Sequence, residues 1–361
     1  MWVRGRTLGR GHFGSVSLAL NLQQDNEKHN IDRPSIMAVK SAKLSESHSL
    51  LKERKLLHEF RYCPYIIRYF GADSTIENGE ELYNIFLEYA SNGSLADRIK
   101  STGNKGLADC EVRQHTKSIL TGLQYIHING YVHCDIKPHN ILLVGCPKSC
   151  LIPRLKKETA KIADFGLSKK AKKRTKGNNL RGTPLYLAPE SILSRQYKSH
   201  SDIWSLGCTV LQMITGRPPW HCDQNTEICS VMFKIGHTNQ VPEIPTWVSK
   251  EAKDFLSKCL VRDPKARWTA NMLLGHPFVT NRVLPNKLTD KIDDLCSADP
   301  PKPHAIMSKY RYGESKKLVA EEERSKRLDC SFLESYIPLS QQSCGFSVSK
   351  KRKTSREEIH I

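Results

Sequence analysis

The stretch His133-Cys134-Asp135-Ile136-Lys137-Pro138-His139-Asn140 decides how this chain folds. It spaces a carboxylate, an ammonium and an amide as H-x-D-x-K-x-x-N, just after a segment of helical periodicity that stops at Asn129-Gly130. In such a loop Asp135 would accept the proton of an attacking hydroxyl, Lys137 would steady a transferred phosphoryl group and Asn140 would coordinate Mg²⁺. Upstream, Val112, Ile119, Leu120, Leu123 and Ile126 supply the helical intervals. Downstream, Lys161-Ile162-Ala163 reads as a short strand that delivers Asp164-Phe165-Gly166, a second metal carboxylate with a glycine for the sharp turn. Ala188-Pro189-Glu190 closes the segment.

Toward the N-terminus, Gly9-Arg10-Gly11-His12-Phe13-Gly14-Ser15-Val16 gives G-x-G-x-x-G-x-V between two alternating, strand-like runs. A dinucleotide fold would continue into a helix; here the chain returns as a strand, so Gly9, Gly11 and Gly14 free a hairpin backbone to cover a triphosphate. Ala38-Val39-Lys40 lies on the β-prone run Ile36 to Ser41 and places Lys40 to hold the α- and β-phosphates. Lys40 needs a carboxylate to fix it. Glu53, on the helically spaced segment Leu50 to Phe60 and on the face of Leu57, is the candidate, with Glu46 and Glu59 as rivals.

In order, these motifs resemble the eukaryotic protein kinase family over residues 2 to about 279, with Lys137 in the position of the serine/threonine form. The resemblance implies an α+β, two-lobed fold: a β-rich N-lobe with one regulatory helix over about 2–87, a hinge at 88–93 and a mainly helical C-lobe over 94–279. ATP and Mg²⁺ would sit between the lobes. It further implies that Leu8, Val16, Ala38 and Leu142 sandwich the adenine, that Leu87 is the gatekeeper and that the backbone of Glu88 and Ala90 bonds the adenine edge. Thr183, in Gly182-Thr183-Pro184-x-Tyr186, would bond to Asp135 and Lys137; Asp202 would brace the catalytic loop and Arg267 would pair with Glu190. The strings around Asp135 and Asp164, with Ser201 to Trp220, look like the short plant kinases of the MEKK-like class at the top of mitogen-activated cascades. The implied substrate is then a mitogen-activated protein kinase kinase, modified on serine or threonine, in a group tied to stress signalling. A plant receptor-like cytoplasmic kinase and a catalytically silent kinase-fold scaffold are the alternatives; a scaffold need not keep every phosphate- and metal-handling position filled.

Composition bounds what else the chain could be. With 361 residues, 39% hydrophobic and 26% charged, it buries a substantial core and is not disordered throughout. Met1-Trp2-Val3-Arg4-Gly5 has no apolar leader, and the stretch from Ile203 to Ile214 is too short and polar to span a bilayer, so no membrane insertion is expected. The 12 cysteines are scattered and read as reduced thiols; Cys146 and Cys150 lack a second pair at zinc spacing. A net charge of +19 raises nucleic acid as a ligand, but the densest basic runs carry no recognition helix or interleaved aromatics, and an acidic protein partner accounts for them as well.

One departure bears on regulation. Most kinases carry arginine before the catalytic aspartate, where it clamps a phosphate on the activation segment; Cys134 cannot, so loop phosphorylation is not expected to be obligatory. Around Thr175 in that segment crowd Lys169, Lys170, Lys172, Lys173, Arg174 and Lys176, either a solvated loop or a dock for an acidic substrate surface. Residues 280–361 read as a basic, largely disordered tail. Its end, Lys350 to Ile361, fits importin-dependent nuclear entry through Lys350-Lys351-Arg352-Lys353, or docking to a mitogen-activated protein kinase through those residues with Ile359 and Ile361. Cytoplasm and nucleus are the expected locations.

Overall fold

Alternation along β3, Ile36–Lys43, sets the first layer: Met37 and Val39 point to one side, Ala38, Lys40 and Ala42 to the other. The strand is the centre of a five-stranded antiparallel sheet ordered β1-β2-β3-β5-β4, with β1 at Trp2–Gly11, β2 at Gly14–Asn21, β4 at Tyr69–Glu77 and β5 at Glu80–Leu87. A computed structural model describes residues 1–11, 14–22, 34–145, 158–172, 180–220 and 227–280. Thr175, the Cys146–Cys150 pair and the tail beyond Thr280 lie outside the described residues.

One face of the sheet closes over a small cluster of Ala19, Met37, Val39, Phe70 and Phe86, capped by Trp2, whose ring stands edge-on to Phe86 at 5.0 Å. Arg4 ties β1 across that face, donating to Asn84 at 2.9 Å and Glu77 at 2.8 Å. The other face, with Ala38, Ala42, Ile85 and Leu87, joins the main core. Against it lies α1, His48–Glu59, whose buried stripe is Leu50, Glu53, Leu56 and Leu57. A carboxylate in the middle of an apolar stripe is costly unless paired. Its partner is Lys40.

The second lobe is helical: α2 Leu95–Ser101, α3 Asp109–Ile128, α4 Pro189–Ser194, α5 Ser199–Thr215, α6 Ile228–His237, α7 Lys250–Cys259, α8 Ala270–Leu274 and α9 Pro277–Thr280. Helix α5 is apolar on nearly every side and correspondingly buried, with Ile203, Trp204, Leu206, Val210 and Met213 at its centre. Ser249 caps α7 by accepting from the Ala252 N–H. Among the described residues, no helix is long and apolar enough to cross a membrane.

Two short strand pairs carry the loops between these layers. β6, Tyr131–Val132, pairs with β9, Lys169–Lys170, so the first two lysines of the basic run are strand residues rather than loop. β7, Ile141–Val144, pairs with β8, Thr159–Ile162, in a register that sets Ile141 opposite Ile162. That register decides what happens next to it: Asn140 precedes β7, Asp164 follows β8, and the Ala163 N–H donates to the Asn140 carbonyl at 2.9 Å.

Candidate active site

Three segments that are distant in sequence meet at Lys40. Its Nζ lies 2.6 Å from Glu53 Oε2 and 3.1 Å from Asp164 Oδ1, and the second oxygen of Glu53 accepts from the Phe165 N–H at 3.3 Å. Burial alone would lower the Lys40 ammonium, but the two carboxylates outweigh it and raise its pKa, so it stays charged. Asp164 shows the reverse: burial pushes it up, and Lys40 holds it below its ordinary value. Among the described residues neither Glu46 nor Glu59 pairs with Lys40; Glu59 accepts instead from the Tyr131 hydroxyl at 2.9 Å.

The loop between β6 and β7 is held from beneath by Asp202 of α5. Its carboxylate accepts from the backbone N–H of His133 and of Cys134, each at 2.9 Å, and its Oδ2 is 2.8 Å from His127 Nε2. Cys134 takes φ +72, a conformation unusual for a residue with a side chain, and these bonds offset its cost. His133 Nδ1 accepts from the Asp135 N–H at 3.3 Å, so its Nε2 carries the proton given to the Ala163 carbonyl at 3.1 Å. The imidazole thereby links the Asp135 loop to the Asp164 strand, and it packs edge-on against Phe165.

Around Asp135 every neighbour is oriented. Asn140 Nδ2 donates to its carbonyl at 2.8 Å and to Oδ2 at 2.9 Å. Lys137 Nζ lies 2.9 Å from Oδ2 and donates to Thr183 Oγ1 at 2.6 Å, while that hydroxyl donates to Asp135 Oδ1 at 2.8 Å. Thr183 is brought there by Gly182, at φ +101, where a Cβ would meet the Cys134 carbonyl at 2.5 Å. The cysteine that replaces the expected arginine is buried with Val132, Leu187 and Tyr197. The loop and the activation segment are thus joined by apolar packing. Farther down, Arg267 pairs with both oxygens of Glu190, at 2.9 and 3.2 Å.

The residues that the sequence assigns to the nucleotide have a chemistry that suits a triphosphate and its cation. Among the described residues Cβ atoms at Gly9 and Gly11 would meet nothing within 4 Å, whereas one at Gly14, at φ +127, would strike the Ser41 carbonyl at 2.0 Å. Asn140 spends its amide nitrogen on Asp135 and so has its amide oxygen to offer a cation. Ala38 and Leu87 are buried, Val16 and Leu142 pack against the same core, and Leu8 is 37% exposed at an irregularity in the β1–β2 register. The Glu88 N–H is already bonded to the Arg68 carbonyl and the Ala90 carbonyl to the Gly93 N–H. What the hinge can offer an adenine is therefore the Glu88 carbonyl and the Ala90 N–H.

One element escaped the sequence reading. Lys161, on β8, is buried and places its ammonium 2.8 Å from both oxygens of Glu88. The signal was a lysine between Ala160 and Ile162, an inward position on a strand with apolar neighbours. Lys52 likewise donates to the Gly166 carbonyl at 2.8 Å, joining α1 to the turn after Asp164.

This two-lobed fold, in which Lys40 is paired with Glu53 and Asp164 while Asp135 is oriented by Asn140, Lys137 and Thr183, defines a nucleotide-dependent phosphotransferase. A protein kinase domain model matches residues 2–279. Mitogen-activated protein kinase kinase kinase 20 of Arabidopsis thaliana is 44% identical over 283 residues, covering 77% of this chain and 78% of the relative. Kinase kinase kinase 18 of the same plant is 40% identical over 288 residues, 78% of each chain, and kinase kinase kinase 17 is 39% identical over 78% of this chain and 70% of its own. The chain belongs to the protein kinase family and is a serine/threonine protein kinase that uses ATP with a divalent metal.

Proposed function

We propose that this enzyme is a mitogen-activated protein kinase kinase kinase, transferring the γ-phosphate of ATP to serine or threonine in a mitogen-activated protein kinase kinase. The chemistry rests on one observation above all: Lys40 is tied at once to Glu53 and Asp164 while Asp135 is oriented by Asn140, Lys137 and Thr183. Both halves of the machinery are assembled together. The cascade level is supported by relatives that carry that name over most of their length.

In this reading Asp135 orients the substrate hydroxyl and takes its proton as the oxygen bonds to the γ-phosphorus and the bond to ADP breaks. Lys137 meets the charge on the transferred group, Lys40 holds the α- and β-phosphates, and Asn140 and Asp164 would hold Mg²⁺, which would supply positive charge against the phosphates. Leu8, Val16, Ala38 and Leu142 enclose the adenine. Because Cys134 joins the loop to the activation segment by packing, activity does not depend on a phosphate at Thr175. The basic tail directs the enzyme to the nucleus as well as the cytoplasm.

The test is transfer of labelled γ-phosphate by the purified chain and by Asp135→Asn, offered a catalytically dead mitogen-activated protein kinase kinase and a generic basic protein. Wild type should label serine or threonine of the kinase kinase much faster than the basic protein, and the variant neither. Equal labelling of both proteins would remove the cascade assignment while leaving the kinase. Fusing residues 350–361 to a reporter tests nuclear entry.

A further inference from the structure

His115 is buried in α3, 1% exposed, and neither ring nitrogen has a hydrogen-bond partner among the described residues. A polar group buried in this way has lost its water with nothing in return, and such a group asks for an explanation. Glu111 lies one turn earlier on the same helix face, and Glu158, just before β8, closes the third side. The Nε2 of His115 is 3.6 Å from a carboxylate oxygen of each, too far for a hydrogen bond, and the three donor atoms all lie within 4.8 Å of one another. They line a cavity of about 670 Å³.

We propose that Glu111, His115 and Glu158 form a site for a divalent transition metal of the Zn²⁺ kind, separate from the phosphoryl-transfer machinery. One imidazole and two carboxylates with an open fourth position form a donor set that suits Zn²⁺, whereas Mg²⁺ and Ca²⁺ favour oxygen alone. The positive charge that the acidic pair requires is supplied in this structure by Arg98, whose Nε is 2.7 Å and Nη2 3.2 Å from the two oxygens of Glu111. Its side chain is 47% exposed and free to swing into water. Asn92 donates to the far oxygen of Glu158, and Gln114 donates to the Glu158 carbonyl at 2.8 Å, fixing that residue in place. A bound ion would cross-link α3 to the start of β8, the strand that leads to Asp164.

The experiment uses the full chain, stripped with chelator and titrated with Zn²⁺ and Co²⁺ by calorimetry, visible absorption and thermal melting. Wild type should bind one equivalent that Glu158→Gln and His115→Gln weaken by at least about tenfold. Because loss of a buried imidazole can disturb folding, Glu158→Gln, 21% exposed, keeps the test decisive. Arg98→Gln should bind about tenfold tighter, since the competing charge is gone. The Co²⁺ spectrum should show tetrahedral ligand-field bands without a thiolate charge-transfer band. Equal uptake by wild type and Glu158→Gln, a thiolate band, or weaker binding by Arg98→Gln would each overturn the site.

Discussion

The hydroxyl of Thr183 donates to the carboxylate of Asp135 across 2.8 Å, a direct polar link from the activation segment to the candidate base. A hydrogen bond to a charged group is worth about 1.5–3 kcal/mol, so Thr183→Ala should lower kcat by roughly ten- to a hundredfold with little change in KM for ATP. Thr183→Ser keeps the hydroxyl and should retain most of the rate. A steady-state comparison of the three proteins checks this; a Thr183→Ala variant at full rate would remove the residue from catalysis.

Glu53 is the buried partner of Lys40, and removing one member of a buried pair costs about 3 kcal/mol. Asp164 remains near the ammonium in Glu53→Gln, so the variant should fold with a lowered melting temperature, while kcat/KM for ATP falls by more than about tenfold. Melting curves and ATP titrations separate the two effects.

The glycine-rich hairpin divides its residues between fold and ligand. Gly14→Ala forces a Cβ into the Ser41 carbonyl at a positive φ and should cost about 1–3 kcal/mol of stability. Gly11→Ala meets nothing within 4 Å among the described residues, so melting should stay unchanged while KM for ATP rises. Identical melting of both variants would show that the hairpin tolerates the collision.

Buried His115 sets a pH dependence in the presence of chelator. Its folded pKa lies below the ordinary value of 6.5, so the unfolded chain binds more protons between the two values. Stability is therefore fully present above about pH 6.5, declines as pH falls through that value, and the loss is complete below the folded pKa. His139 and His200 are lowered in the same direction, so His115→Gln should flatten the acid-side decline without abolishing it. Denaturant midpoints from pH 7.5 to pH 5 measure the slope; parallel curves for the two proteins would exclude His115 as a source.

Much of this was legible in the residues because it is local. The spacing of Asp135, Lys137 and Asn140 lies within one loop, the alternation around Lys40 within one strand, and the face shared by Glu53 and Leu57 within one helix. What the sequence could not carry was pairing across the tertiary structure without a motif to announce it. Lys161 and Glu88 are far apart in sequence and meet only because β8 runs beneath the hinge. The Glu111–His115–Glu158 cluster needs the same β8 strand to bring Glu158 beside α3. Lys169 and Lys170 read as part of a loop, solvated or docking an acidic surface, because two residues are too few to alternate; they pair with Tyr131 and Val132.

The Lys161–Glu88 pair has a pharmacological consequence. In the proposed reading Glu88 would offer its carbonyl to the adenine edge, while its side chain holds the strand that leads, three residues later, into Asp164. A hinge-directed inhibitor bulky enough to turn Glu88 would pull on Asp164, the carboxylate proposed to hold the cation. Its potency should then vary with divalent-ion concentration, whereas a compound that leaves Glu88 in place should be indifferent to it, and Lys161→Met should erase the difference between the two.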